Sequence, residues 1–230
     1  MLRIFFVAAL IVLFLRVIRR ARGSGGWEGA MARYEARDRR HPPAPGTIAF
    51  VGSSSFRLWQ SLAQDMAPLP VWNRAFGGSA TRDQIVALPR LILPHRPAVV
   101  VYYCGDNDLA DPAADPQVAV RGFQDFVAAL RRALPATRVI YVSIKPSPAR
   151  AAGWERVRQA NASVRSWCEA DPLLTFVDVT AAMMGAEGRP RRELFWIDRL
   201  HMNAAGYRIW TGIIRPEVAR VWNEVAAIRT

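Results

Sequence analysis

From Thr47 onward the chain alternates short apolar runs with longer amphipathic stretches, and this alternation limits the fold more than any other feature of the sequence. The runs are Thr47–Val51, Pro70–Asn73, Ala98–Tyr103, Arg138–Val142 and Leu174–Val177. They are rich in β-branched and aromatic residues and too short for buried helices, so each reads as a buried strand. Between them the apolar period changes to three and four. Thr81–Leu93 carries Ile85, Leu88 and Ile92 on one side, with a kink expected at Pro89. Asp115-Pro116 reads as a cap and first helical proline ahead of Val120, Phe123, Val127, Leu130 and Leu134. Trp154, Val157, Val164 and Cys168 form another stripe, and after Asn203 a last helix bears Trp210, Ile214, Val218 and Val225, with Pro216 expected to divide it. Strands that alternate with helices predict an α/β fold, a parallel sheet covered on both faces.

At 230 residues and 51% hydrophobic content, the chain suits one domain plus an appendage. Its net charge of +12 does not point to nucleic acid, because nine arginines against three acidic residues place half of the excess in the first fifty positions. Neither a zinc-finger spacing nor an RNA-binding aromatic motif accompanies it. Cys104 and Cys168 are too few for a disulfide framework and read as buried thiols. His41, His95 and His201 stand at no metal-ligand spacing, so no metal is expected.

Ahead of this domain, Ile4–Leu15 is twelve uninterrupted apolar residues, followed by Arg16, Arg19, Arg20 and Arg22. The arginine-rich flank is a poor cleavage site, so residues 1–22 are expected to form an uncleaved membrane anchor, with a buried core helix as the alternative. The positive-inside rule favours a cytoplasmic domain, with export as the alternative. Residues 23–46 read as a Gly-Ser hinge, an amphipathic helix from Trp27 to Arg40, and a proline-rich linker, which leaves 47–230 as the main domain. The helix has two possible partners, the domain or a membrane surface.

In a parallel sheet, active sites gather at the carboxyl ends of the strands. Gly52-Ser53-Ser54-Ser55 follows the first run, Asn73-Arg74-Ala75-Phe76-Gly77-Gly78-Ser79 the second, and Gly105-Asp106-Asn107-Asp108 the third. Lys145-Pro146-Ser147-Pro148 follows the fourth and lies where it would line a cleft, without assigned chemistry. Near the end, Asp198 and His201 stand three apart, close enough to share one turn, so that the carboxylate orients the imidazole. Acyl transfer needs a hydroxyl, a base, an orienting carboxylate and donors aimed at an oxyanion, and every part has a candidate here. The residues themselves leave Ser53, Ser54 and Ser55 open as the nucleophile, and Gly77 and Gly78 open as a backbone donor. Asp106 and Asp108 read as structural, and His95 as a loop residue.

These blocks resemble those of the SGNH (GDSL-type) hydrolases. Gly52-Ser53-Ser54 matches that family's Gly-Asp-Ser with serine in place of aspartate, Gly105-Asp106-Asn107-Asp108 matches Gly-x-Asn-Asp in full, and Asp198 to His201 matches Asp-x-x-His. The resemblance runs from about Thr47 to the C-terminal helix. It implies a three-layer α/β/α fold with a flavodoxin-like sheet. It also implies Ser54 as nucleophile, His201 as base and Asp198 as orienter, with Ser54, Gly78 and Asn107 forming the oxyanion hole. No cofactor is implied. The expected substrate is a small-molecule, lipid or glycan ester, cleaved by hydrolysis. O-acyl transfer from the same site and an inactive, membrane-anchored binding protein are the alternatives.

Overall fold

The structure, a computed structural model, describes residues 27–229. The five apolar runs form strands β1 Ile48–Gly52, β2 Val71–Asn73, β3 Val99–Tyr103, β4 Arg138–Val142 and β5 Leu174–Val177. They join in a single parallel sheet in the order β2-β1-β3-β4-β5. This is the flavodoxin-like order, and its switch point lies at the carboxyl end of β1, where the chain turns to opposite sides of the sheet.

The helices are α1 Glu28–Asp38, α2 Ser54–Arg57, α3 Leu62–Asp65, α4 Thr81–Leu91, α5 Gln117–Ala133, α6 Trp154–Glu169, α7 Thr180–Met183 and α8 Ala204–Arg229. The period of two along each strand sorts the side chains into two cores. Ala49, Val51, Val100, Tyr102 and Tyr141 face one side and pack with residues of α1, α4, α5 and α6. Ile48, Phe50, Val101, Tyr103 and Ile140 face the other and pack with α2, α7 and α8. Because β1 and β3 are buried along their whole length, they read as continuous apolar runs rather than alternating ones.

The amphipathic helix packs on the domain. Trp27, just ahead of α1, and Met31 within it are buried in the first core, Tyr34 donates its hydroxyl to Ala75 O at 2.7 Å, and Arg90 grips Glu28 and Glu35. Asp38 at the helix end pairs with the fully buried Arg74 and sits 2.9 Å from His95 Nε2. His95 is therefore held in a short 3-10 turn, Leu93–His95, rather than in a free loop. The proline-rich segment 41–46 crosses the surface between two parts that share this core. The expected anchor at 1–22 and the Gly-Ser hinge lie outside the described residues. Among the described residues, no helix is long and apolar enough to cross a membrane.

Two helices depart from expectation. α4 ends at Leu91, two residues early, and runs through Pro89. α8 is unbroken across Pro216, where a division was expected. The carbonyl that loses its donor there is that of Gly212, and both residues are exposed, so solvent can satisfy it while Trp210, Ile214 and Val218 stay buried on either side.

Candidate active site

At the switch point, β1 ends in Gly52, whose φ of +151° places its Cα hydrogen against β3. A Cβ there would stand 1.9 Å from Tyr103 O, so only glycine lets the two backbones meet. The Ser53 N–H then donates to Tyr103 O at 3.0 Å, which anchors the turn that opens α2. Ser53 and Ser55 are both buried, whereas Ser54 is half-buried and reaches outward. Its Oγ lies 2.9 Å from His201 Nε2, across 147 residues of sequence. Of the three serines, Ser54 is the one that meets the histidine.

His201 sits on a tight loop before α8. Trp196 N–H donates to His201 O at 2.8 Å, Arg199 N–H donates to Trp196 O at 2.9 Å, and Phe195 bridges Met202 in antiparallel fashion. Arg199 adopts a left-handed φ of +57°, which turns the chain so that Asp198 faces back toward the ring. Asp198 Oδ2 lies 2.6 Å from His201 Nδ1, and Oδ1 accepts the N–H groups of Leu200 and His201, each at 3.0 Å. A carboxylate only accepts, so Nδ1 carries the proton and Nε2 is free to accept one from Ser54. Burial works to raise the Asp198 carboxyl, but the Leu200 N–H and the His201 ring and N–H together hold it below the usual carboxylate range. Asn203 caps α8 as its position predicts, accepting the Ala205 N–H at 2.9 Å.

Across the cleft, Asn107 Nδ2 donates to Ser79 O at 2.9 Å, which uses one of its two N–H donors and fixes the plane of the amide. The adjacent Gly77 and Gly78 differ in surroundings. Gly77 is pinned, its carbonyl accepting from Trp27 Nε1 at 3.0 Å and its Cα lying against Arg57. Gly78 takes a left-handed φ of +75°, with open space where a side chain would stand. Asp108 caps α4 from a distance, accepting Thr81 N–H at 3.1 Å and Thr81 Oγ1 at 2.7 Å. Burial raises its carboxyl despite these donors. Gln84 was not singled out by the sequence; its Nε2 donates to Ser79 Oγ at 2.7 Å and to Gly52 O at 3.2 Å, tying the second block to the first.

Asp106 is engaged by the chain's single lysine. Lys145 is fully buried, with Nζ 3.4 Å from Asp106 Oδ2, and Arg150 Nε approaches the other oxygen at 3.6 Å. Burial lowers the Lys145 ammonium and Asp106 opposes that shift. The same loop reaches the histidine side, because Ala149 N–H donates to Arg199 O at 3.0 Å. The lone lysine in the loop after β4 was the signal for this network, and its partner was not readable. Cys104 and Cys168 are buried as expected; burial pushes Cys104 well up and Cys168 to about 12, so neither thiol ionises at neutral pH. Among the described residues, no group of three His, Cys, Asp or Glu side chains is placed to hold a metal ion. Beside the triad runs an open groove of about 510 Å³, lined among others by Leu58, Trp196, His201, Met202 and Tyr207.

Residues 29–209 match the family model of the GDSL-like lipases/acylhydrolases. No curated protein matches the chain. Among solved structures, a proposed acylhydrolase from Bacteroides fragilis is 18% identical, with a TM-score of 0.72 over 83% of this chain and 96% of the other. A GDSL-like lipase from Bacteroides thetaiotaomicron is 17% identical, with a TM-score of 0.71 over 83% and 97%. A carbohydrate esterase from Talaromyces cellulolyticus is 16% identical, with a TM-score of 0.59 over 78% and 99%. At such identities the likeness is one of fold.

Proposed function

This chain belongs to the GDSL-like lipase/acylhydrolase family, and from that premise we propose that it hydrolyses carboxylic esters through an acyl-enzyme on Ser54. The observation that carries the proposal is the line from Ser54 Oγ to His201 Nε2 at 2.9 Å and from His201 Nδ1 to Asp198 Oδ2 at 2.6 Å. His201 takes the Ser54 proton as Oγ attacks the carbonyl carbon, and the imidazolium that forms is stabilised by Asp198. The oxyanion is met by the N–H groups of Ser54 and Gly78 and by the second Nδ2 hydrogen of Asn107. His201 then gives its proton to the departing alcohol. Water, deprotonated by the same ring, releases the acid and restores Ser54.

The ester belongs to a lipid or a carbohydrate. Solved relatives described as lipase and as carbohydrate esterase stand behind both possibilities, and a groove that is open and partly aromatic accommodates either. Release of p-nitrophenol from p-nitrophenyl acetate tests the reaction class. Wild type is expected to turn the ester over, and Ser54→Ala to lose at least about a thousandfold in kcat. Retention of activity in Ser54→Ala would remove Ser54 from the mechanism.

A further inference from the structure

Trp196 and Ile197, immediately before Asp198, are 63% and 101% exposed. Full exposure of an isoleucine beside an exposed tryptophan is unfavourable in water, and the backbone holds the pair out firmly. The bonds from Trp196 N–H to His201 O and from Arg199 N–H to Trp196 O fix the tip on which they stand. The tip is thus ready to bind with little loss of conformational freedom. The exposed Arg199 stands on the same loop and the exposed Arg208 lines the groove beside Trp196, while Glu193 nearby is engaged by Arg191.

The chain ahead of α1 also joins the body at the carboxyl end of the sheet. Trp27 bonds Gly77 O in the loop after β2, whereas Asp38, at the other end of α1, contacts His95 ahead of β3. The 26 residues before Trp27 include the apolar run Ile4–Leu15 and four arginines after it, a composition suited to a bilayer and its anionic headgroups. Tryptophan at the polar boundary, an aliphatic tip and a basic rim are the features by which a protein surface enters a lipid interface.

We propose that the carboxyl end of the sheet is a lipid-docking face, in which Trp196 and Ile197 enter the interface of an anionic bilayer beside the mouth of the Ser54–His201 cleft. An ester carried by that bilayer then meets Ser54 without crossing bulk water.

The test uses the full chain carrying an environment-sensitive fluorophore at Ile197→Cys or, as a control at the opposite end of the sheet, at Ala136→Cys. Both positions are exposed, and the native thiols are buried. Phosphatidylcholine/phosphatidylglycerol vesicles with nitroxide-bearing lipid are added. The fluorophore at 197 is expected to shift to the blue and lose most of its emission to the nitroxide, while that at 136 stays as in water. Three outcomes overturn the proposal: no binding to the vesicles, binding with 197 still in water, or equal quenching at 136. A shift at 197 that needs no vesicles and grows with protein concentration assigns the tip to a second copy and overturns it as well. The readout involves no hydrolysis, so its failure is distinct from failure of the esterase reading.

Discussion

Ser54 and His201 are drawn together by aromatic packing, whereas Asn107 and the Gly77–Ser79 turn are joined by hydrogen bonds. On the first side, Phe56, two residues after Ser54, meets Trp210 edge-on at 5.9 Å, and Trp59 stacks on Tyr207 at 5.4 Å. The Tyr207 hydroxyl donates to Ser55 O at 2.8 Å, so the turn of α8 that follows His201 is bound to the turn that carries Ser54. On the second side, the Asn107 amide and the Asp108 carboxylate connect the loop after β3 to the segment after β2, and the Gln84 amide ties that segment to Gly52 at the end of β1. The difference follows from the task. Undirected burial brings the two distant segments within reach of each other, and the bonds from Ser54 Oγ to His201 Nε2 and from His201 Nδ1 to Asp198 Oδ2 then align the side chains. The donors proposed for the oxyanion must also be aimed at a point between the loops, and hydrogen bonds have direction.

Substitutions on each side test the contrast. The largest effect is expected from Trp210→Ala, which empties a fully buried site between Phe56 and Tyr103. It should cost about 3–5 kcal/mol of stability, measured by urea unfolding, and lower turnover in whatever remains folded. Asn107→Ala should act the other way round, reducing kcat about a hundredfold, equivalent to about 2.7 kcal/mol. It loses one hydrogen bond to Ser79 O, so its stability in urea unfolding should fall by no more than about 1 kcal/mol. Asp108→Ala removes the remote cap of α4 and should cost about 1 kcal/mol, with a smaller loss of kcat as the Asn107 loop slackens. Smallest is Ile197→Ser, expected to leave urea stability within about 0.5 kcal/mol, since the side chain is fully exposed. The contrast fails if Trp210→Ala unfolds no more readily than wild type, or if Asn107→Ala unfolds while its folded fraction keeps full kcat.

Much of this arrangement was readable in advance, and the unreadable parts share a cause. The strands were legible because burial on both faces leaves no polar alternation in Val99–Tyr103, and the site loops because each directly follows a strand. The helix from Trp27 was legible as amphipathic, but periodicity reveals an apolar face and not what covers it; the partners, Phe76 and the α4 surface, come from elsewhere in the chain. Pro216 misled because a helix tolerates proline where the orphaned carbonyl faces solvent. The Asp106–Lys145 pair and the bonds of Gln84 depend on side chains brought together across the sheet, as does the exposure of Ile197, which only the geometry of the Trp196–His201 loop determines.

Every step of the proposed reaction passes through one oxygen atom, Ser54 Oγ, and a fluorophosphonate probe reports on it directly. The Oγ displaces fluoride from phosphorus, and mass spectrometry of the digested protein locates the adduct. The prediction is a single adduct on Ser54 in the wild type and none in Ser54→Ala. An adduct on Ser53 or Ser55, or labelling that persists in Ser54→Ala, would contradict it.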